Sequence, residues 1–236
     1  PLDYGIRQST LHEITIATPA VLVNLLLAGK LDTALISSVE CLRHPELHYS
    51  TAAGVASDGA VDSILYFEKP SNSFCQSLPA AIYCDSGSRS SVSLLQILMA
   101  ETFGNLPETI TMDPGLIPEL VQNKGHAGLL IGDNALAFAD SPQARNFSIR
   151  DLGAWWQETQ GLPFVYALWA GLDPLDDNFF LQSLAAGLEH LDQIASLSPY
   201  SRAREYLKQR LHFRLSQRDQ AGLARFRELL LHWQLL

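Results

Sequence analysis

The chain has 236 residues, of which 47% are hydrophobic and 17% are charged, and this composition indicates a folded globular protein and not a disordered one. The formal net charge is −9 at pH 7 and there is no dense run of Lys and Arg, which disfavours nucleic acid and anionic membrane surfaces as partners. An anionic ligand would therefore have to be held by local hydrogen-bond donors and dipoles, against the overall field.

Cysteine and histidine usage suggests neither disulfides nor metal. The three cysteines, Cys41, Cys75 and Cys84, include no Cys-x-x-Cys spacing, and we expect reduced thiols in a cytoplasmic protein. No metal site is expected from the seven histidines, and no cofactor of another kind is expected. The apolar stretch at residues 164–172 is far too short to cross a bilayer, and no secretory signal is visible after Pro1.

The first third of the chain alternates short strands with a helix. Thr18 fits a helix N-cap, Pro19 fits the first helical position, and Gly29 fits the helix end. Apolar patterns predict strands at residues 14–17, 33–36, 50–57 and 62–67. This β-α-β rhythm predicts a parallel sheet with covering helices.

The middle of the chain repeats the alternation, which indicates two lobes. The patterns predict strands at 80–84, 109–112, 127–131 and 164–170, and helices at 91–102, 117–123 and 152–159. The polar cluster at residues 69–73 predicts the first crossing between lobes, and the strand at 164–170 can carry the chain back. We therefore expect residues 1–70 and 164–236 to form lobe I and residues 71–163 to form lobe II.

The last quarter of the chain predicts three amphipathic helices. Apolar residues recur at helical spacing from Phe180 to Leu191, from Ala203 to Leu211 and from Leu223 to Trp233. These segments carry no convergent polar groups, so we expect them to pack against lobe I without a direct chemical role. The expected fold class is α/β, with two lobes, a cleft between them and a helical C-terminal extension.

Polar residues follow four of the predicted strands, at the positions where ligands of open α/β sheets bind. Three of these turns run into a helix, whose free N–H groups and dipole favour an anion. Arg89 adds a cation that can grip a carboxylate through two hydrogen bonds. The candidate ligand-binding residues are Ser37, Ser38, Ser57, Gly59, Ser88, Arg89, Ser90, Ser91, Gly132 and Asp133.

Each of these turns also has a simpler interpretation. A serine before a helix is most often an N-cap, although the cluster from Ser88 to Ser91 is denser than capping needs. Asp58 and Asp133 can act as general bases or merely cap turns, and Asp58 is the catalytic candidate. Gly59 permits a left-handed turn and a close backbone approach to a ligand.

Several motifs in order resemble one family. The matching segments are residues 1–5, 26–34, 37–40, 57–63, 88–92, 130–133, 151–156 and 159–165. Over nearly its whole length the chain is similar to the MqnA-type chorismate dehydratases of the futalosine route to menaquinone. Two departures are Ala60, where the family usually has proline, and Gln160, within a stretch commonly read Thr-Gly-Leu-Pro.

The resemblance implies a two-lobed fold similar to the type II periplasmic binding proteins, with the ligand between the lobes. The implied reaction removes water from chorismate, a dicarboxylate, to give 3-(1-carboxyvinyloxy)benzoate. The sequence identifies no base, and our hypothesis is that the substrate's own side-chain carboxylate takes the proton, positioned by Ser38, Asp58 and the turn from Ser88 to Ser91. The family usually has an asparagine three residues before the position of Pro1, where this sequence begins.

Two other functions fit the same pattern. A non-catalytic carboxylate-binding protein of the same fold explains the cleft equally well. A related enzyme that forms a dihydroxynaphthoate later in the pathway is the second alternative, although that branch usually has a histidine in a cleft loop. The strand-end turns of this chain contain no histidine.

Overall fold

The computed structural model describes residues 1–70, 77–87 and 89–236. In chain order, the strands are β1 Thr33–Ser37, β2 His48–Ser57, β3 Ile64–Glu68, β4 Ile82–Asp85, β5 Thr109–Met112, β6 Ala127–Ile131, β7 Ser148–Asp151, β8 Phe164–Gly171 and β9 His212–Arg214. The helices are α1 Tyr4–Arg7, α2 Pro19–Leu27, α3 Ser38–Arg43, α4 Ser90–Phe103, α5 Ile117–Lys124, α6 Gly132–Asp140, α7 Leu152–Gln160, α8 Asp177–Glu189, α9 Leu191–Ser196, α10 Ala203–Glu205 and α11 Gln217–His232. Short 3₁₀ turns lie at Pro114–Leu116 and Pro142–Asn146, and a π-helical turn lies at Tyr206–Arg210.

Two sheets define two lobes. The sheet of the first lobe has the order β1-β8-β2-β9, and that of the second lobe has the order β5-β4-β6-β3-β7. The strands and helices predicted between residues 80 and 170 are confirmed to within one or two residues at each end. In the second lobe β4 pairs in parallel with β5 and β6, as the β-α-β alternation predicts.

The parallel sheet predicted for the first third of the chain is wrong. Strand β8 inserts between β1 and β2 and pairs antiparallel with both, and β9 is also antiparallel to β2. Strand β8 follows the return of the chain from the second lobe. The direction of β8 is therefore set by that crossing and not by the local alternation of strands and helices. A sequence pattern detects the strands but not which distant segment separates them.

The predicted strand at residues 14–17 does not form. These residues have no regular structure, and Ile14 and Ile16 are exposed. A strand requires a hydrogen-bonding neighbour, and β1 pairs only with β8 among the residues that the structure describes. The pattern of alternating apolar residues is therefore present without a partner strand.

The first crossing between lobes lies earlier than residue 70. Strand β3 pairs with β6 and β7, so it belongs to the second lobe and not to the expected segment 1–70. The chain crosses at residues 58–63, a segment whose backbone N–H groups at Val61 and Asp62 donate to the Asp151 carboxylate. It returns between α7 and β8.

The C-terminal segment packs on both lobes, and not on lobe I alone as expected. Helix α11 forms over the predicted residues and contacts β8 of the first lobe and α4 of the second lobe. Phe226 packs edge-to-face against Trp156 of α7 and Phe164 of β8, and all three rings are buried. The helix predicted over residues 203–211 forms over 203–210, as α10 followed directly by the π-helical turn. None of the described helices is long and apolar enough to cross a membrane.

Gly153, at the start of α7, allows the crossing segment to approach the second lobe. A Cβ atom at this position would lie 2.4 Å from the Gly59 carbonyl oxygen and 2.8 Å from the Tyr166 hydroxyl. The Asp151 carboxylate, which also accepts the Ala154 N–H, fixes the same junction. Burial is the main cause that raises the pKa of Asp151, against the lowering effect of these N–H donors.

We therefore expect Gly153→Ala to lower the free energy of unfolding by about 2–3 kcal/mol, because the added methyl must displace backbone and buried hydroxyl atoms. Gly29→Ala is the control, since Gly29 has φ near +65° but no atom within 4 Å of an added Cβ, and only the left-handed backbone penalty of about 1 kcal/mol applies. Urea unfolding of both variants measures the difference. Equal losses in the two variants would contradict the close approach at Gly153.

Candidate functional site

A cavity of about 200 Å³ lies between the two lobes at the ends of several strands. The first lobe contributes Ser37 at the end of β1 together with Tyr166 and Ala167 of β8. The second lobe contributes the start of α4 and the β6–α6 junction at Gly132. Three of the four predicted strand-end turns therefore meet here, as the rule for open α/β sheets predicts.

Arg89 is the one charged side chain among the described residues that line this cavity. It is the N-cap residue of the 14-residue helix α4, where unpaired backbone N–H groups and the helix dipole add positive potential. The apolar part of the wall includes Val55, Ile64, Ile131 and Leu211. A cation at a helix start within an apolar wall favours an anionic ligand, despite the net charge of −9.

Ser37 and Ser91 carry the hydroxyl groups that remain available to a ligand. Both line the cavity, and both are buried as residues. Ser37 precedes α3 but makes no side-chain capping bond, and neither hydroxyl has a hydrogen-bond partner within the described chain. Their hydrogen-bonding capacity is therefore free for a bound molecule.

Ser38 and Ser90 join the lobes. The fully buried Ser38 hydroxyl donates to the Val165 carbonyl at 2.6 Å and lies 3.1 Å from the Ser90 hydroxyl. Ser90 donates to the Tyr166 carbonyl at 3.1 Å and accepts the Val39 N–H at 3.2 Å. Ser38 does not line the cavity and uses its hydroxyl in this junction, and its binding role stays a prediction. Ser90 lines the cavity, but its hydroxyl is already hydrogen-bonded to Tyr166 and Val39.

A buried glutamate anchors Arg89. Glu40 of α3 is 3% exposed, and its Oε1 atom accepts from Arg89 at 3.3 Å and from Arg43 at 3.1 Å. The ring Nε2 of His44 lies 3.6 Å from its other oxygen. Arg43 also donates to Ser93 of α4 and to the Leu235 carbonyl near the C-terminus. Glu40 therefore holds Arg89 and, through Arg43, is connected to Ser93 of α4 and to the C-terminal segment.

Asp58 does not line the cavity. Its side chain is exposed and forms an ion pair of 2.7 Å with Arg218 of α11, and its catalytic role stays a prediction. Ser57 is buried and bonds to the Gly59 carbonyl and the Tyr166 hydroxyl. Ser57 and Gly59 therefore shape the crossing segment. Both were predicted to bind the ligand, but neither lines the cavity. The sequence does not reveal the ion pair of Asp58, because its partner Arg218 lies 160 residues away.

The β6–α6 junction contributes backbone and not side chain. Gly132 lines the cavity with φ of +56°, and its N–H donates to the Ser63 carbonyl at 2.7 Å. Asp133 is exposed and lines a neighbouring cavity of about 680 Å³ instead. Asn134 donates to Asp85, whose buried carboxylate also accepts the Gly87 N–H and so holds the turn after β4.

Ser88 and the cysteines were also named from the sequence. Ser88, a predicted binding residue, and Cys75 lie outside the described residues, while Cys41 and Cys84 are buried free thiols. Burial is the main cause that raises the pKa of each of these two thiols to about 12.

His44 and His48 have His-x-x-x-His spacing but lie at the end of α3 and the start of β2. No group of three or more metal-ligating side chains is found in the described part of the chain.

Sequence reasoning missed a pair of hydroxyls in the wall. Ser63 and Tyr206 both line the cavity, and their oxygen atoms are 2.8 Å apart. They are 143 residues apart in sequence, and Tyr206 lies in a segment for which only a packing role was expected. The one signal in the sequence was the Ser63 hydroxyl, directly before β3, which could have marked Ser63 as a site residue.

Comparisons with solved structures identify the fold. The protein AF1704 of Archaeoglobus fulgidus superposes with a TM-score of 0.75 at 18% identity, covering 100% of this chain and 93% of that chain. The periplasmic aliphatic sulphonate binding protein SsuA of Escherichia coli superposes with a TM-score of 0.63 at 13% identity, covering 94% of this chain and 77% of that one. The two lobes and the cavity between them thus define a periplasmic-binding-protein-like fold.

Sequence comparisons identify the family. Residues 1–231 match the family described as menaquinone biosynthesis, and the chain belongs to that family. A relative described as chorismate dehydratase, from Thermus thermophilus, is 34% identical over 170 residues. This match covers 65% of the chain and spans 59% of the length of that relative.

We expect Glu40→Gln to lower the free energy of unfolding by about 1–3 kcal/mol, because two arginines lose their charged partner in a buried setting. Partial exposure of Arg43 and Arg89 keeps the loss below that of a fully buried pair. Glu46→Gln is the matched control, since Glu46 is exposed and contacts His44 alone among described side chains. Urea unfolding that shows equal stability for both variants would contradict the anchoring role of Glu40.

Proposed function

We propose that the chain is a chorismate dehydratase, a hydro-lyase that removes water from chorismate to give 3-(1-carboxyvinyloxy)benzoate. The relative described as chorismate dehydratase and the family description support this activity. The proposed setting is the cytoplasm, with a small dicarboxylate as the ligand and without nucleic acid or membrane as partner. Elimination from chorismate yields an aromatic ring, so a large part of the driving force lies in the substrate.

The chemistry of the cavity carries the proposal. Its described lining residues include one cation, Arg89, and several hydroxyls, but no carboxylate, imidazole or amine that could act as a base. Chorismate brings two carboxylates, one on the ring and one on the enolpyruvyl side chain. Arg89 and the start of α4 are suited to one carboxylate, which leaves the other free to accept a proton.

In the proposed mechanism the protein binds and orients, and the substrate supplies the base. The side-chain carboxylate of chorismate accepts the proton from the ring carbon that bears the enolpyruvyl ether. The apolar wall holds the reacting conformer and excludes water, which increases the benefit of correct orientation. Ser37 and Ser91 are suited to donate hydrogen bonds to substrate oxygens, because both hydroxyls are unused.

The two alternatives have less support. The second-lobe contribution to the cavity contains no histidine among its described residues, unlike the loop expected of the dihydroxynaphthoate-forming branch. A non-catalytic binding protein of the same fold would bind chorismate without converting it. Product formation therefore distinguishes a binding protein from an enzyme.

Incubation of the purified chain with chorismate should convert the cyclohexadiene absorbance into that of an aromatic product. Arg89→Gln should lower kcat/KM by about 10- to 100-fold, through loss of a charge-assisted hydrogen bond to a carboxylate. Lys124→Gln removes the same charge at an exposed site on α5 and should leave kcat/KM unchanged. Binding of chorismate without any product would leave the binding-protein alternative standing.

Asp58→Asn should leave kcat within about threefold of the wild-type value, because the Asp58 carboxylate faces Arg218 and not the cavity. A loss of several orders of magnitude in kcat with unchanged chorismate affinity would instead make Asp58 the base. Single-turnover kinetics with the same substrate measure the difference.

A further inference from the structure

A π-helical turn of the C-terminal segment contacts the residues that enter β3. The Tyr206 hydroxyl lies 2.8 Å from the Ser63 hydroxyl, and the Arg210 Nε atom lies 2.7 Å from an Asp62 carboxylate oxygen. π-helical turns are rare and occur frequently at functional sites. Asp62 has φ of +62°, an uncommon conformation for a residue other than glycine. The turn thus fixes two consecutive side chains of the crossing segment.

The Ser63–Tyr206 pair is a polar point in an otherwise apolar part of the cavity wall. Its neighbours in the lining are Val61, Ile64 and Leu211. The Tyr206 ring also lines the neighbouring cavity of about 680 Å³, so it is a shared wall of the two spaces. The pair comes from the crossing segment and the π-helical turn, whereas Arg89 belongs to the start of α4.

The Ser63–Tyr206 pair has one hydroxyl proton that its internal hydrogen bond does not use. Each hydroxyl carries one proton, and the hydrogen bond between the two uses one of them, so the second proton can be donated into the cavity. Burial is the main cause that raises the pKa of Tyr206, and the charges of Asp133, Asp62 and Asp151 act in the same direction against the Ser63 hydrogen bond. The phenol is therefore protonated at neutral pH.

We infer that the Ser63–Tyr206 pair donates a proton to the departing hydroxyl of the substrate. This inference rests on the proposed chorismate dehydration. The ring C–H proton passes to the substrate's side-chain carboxylate, and the C–H electron pair becomes a ring π bond. The C–O bond to the hydroxyl breaks, and the oxygen leaves with its electron pair. It takes the Tyr206 proton and becomes water, and the phenolate regains a proton from the carboxylic acid through solvent.

Kinetics of Tyr206→Phe test the inference. General acid assistance typically contributes about 100-fold or more, so kcat should fall by about 100-fold while KM changes little. Tyr200→Phe is the matched control, because Tyr200 lines only the larger cavity and its ring packs beside Tyr206. An unchanged kcat for Tyr206→Phe, with wild-type turnover established, overturns this inference and leaves the dehydratase proposal intact. Absence of product from the wild-type chain overturns both.

A substrate analogue with fluorine in place of the departing hydroxyl separates proton donation from a structural role. Fluoride leaves without a proton, so the defect of Tyr206→Phe should shrink from about 100-fold to within about threefold with this analogue. The same defect with both substrates overturns the donor role.

Ser63→Ala is the second variant, and it decides the question if Tyr206→Phe does not fold. It should lower kcat by about 10-fold, and the double variant should be little worse than Tyr206→Phe, because the two hydroxyls act as one unit. Wild-type kcat for Ser63→Ala, or strictly multiplicative losses in the double variant, overturns the paired role.

Discussion

The Ser90 hydroxyl is a central point at which the two lobes are joined. It accepts from the Val39 backbone, lies beside Ser38 and donates to the Tyr166 carbonyl of β8. Buried polar groups are costly unless they are paired, and these bonds satisfy two buried hydroxyls at once. Because Ser90 is the first residue of α4, the same bonds set where the helix dipole and Arg89 meet the cavity. The position of the proposed anion site therefore follows from the junction between the lobes.

That junction also explains the division of labour among the serines of the strand-end turns. Ser38 and Ser90 use their hydroxyls to join the lobes, while the adjacent Ser37 and Ser91 face the cavity with theirs free. Adjacent residues at a strand-to-helix turn point in different directions, so one member of each pair can pack inward while the other meets a ligand. In the proposed site, a dense run of serines thus serves structure and binding together.

The sequence predicts local elements well and long-range pairings poorly. The seven segments predicted between 80 and 170 form, because apolar periodicity and glycine stops act within a few residues, whereas α6 and β7 were not predicted. The crossing at 58–63, the antiparallel course of β8 and the unpaired segment 14–17 depend on distant partners, and no local pattern encodes them. The candidate site was predictable where it sits at strand ends, as with Ser37, Arg89, Ser91 and Gly132. It was not predictable where a distant partner decides, as with Asp58 and Arg218 or Ser63 and Tyr206.

The absence of a base from the described lining residues limits what this cavity can do. Proton abstraction requires an acceptor, and a hydroxyl at its ordinary pKa is a weak one. A cavity that offers Arg89, a helix start and neutral hydroxyls can hold an anion and donate protons, but it suits only a substrate that carries its own base. Chorismate meets that condition, since one of its carboxylates can be held while the other lies beside the proton to be removed. Positive potential at the start of α4 and neutral donors elsewhere in the wall are then complementary parts of the proposed elimination site.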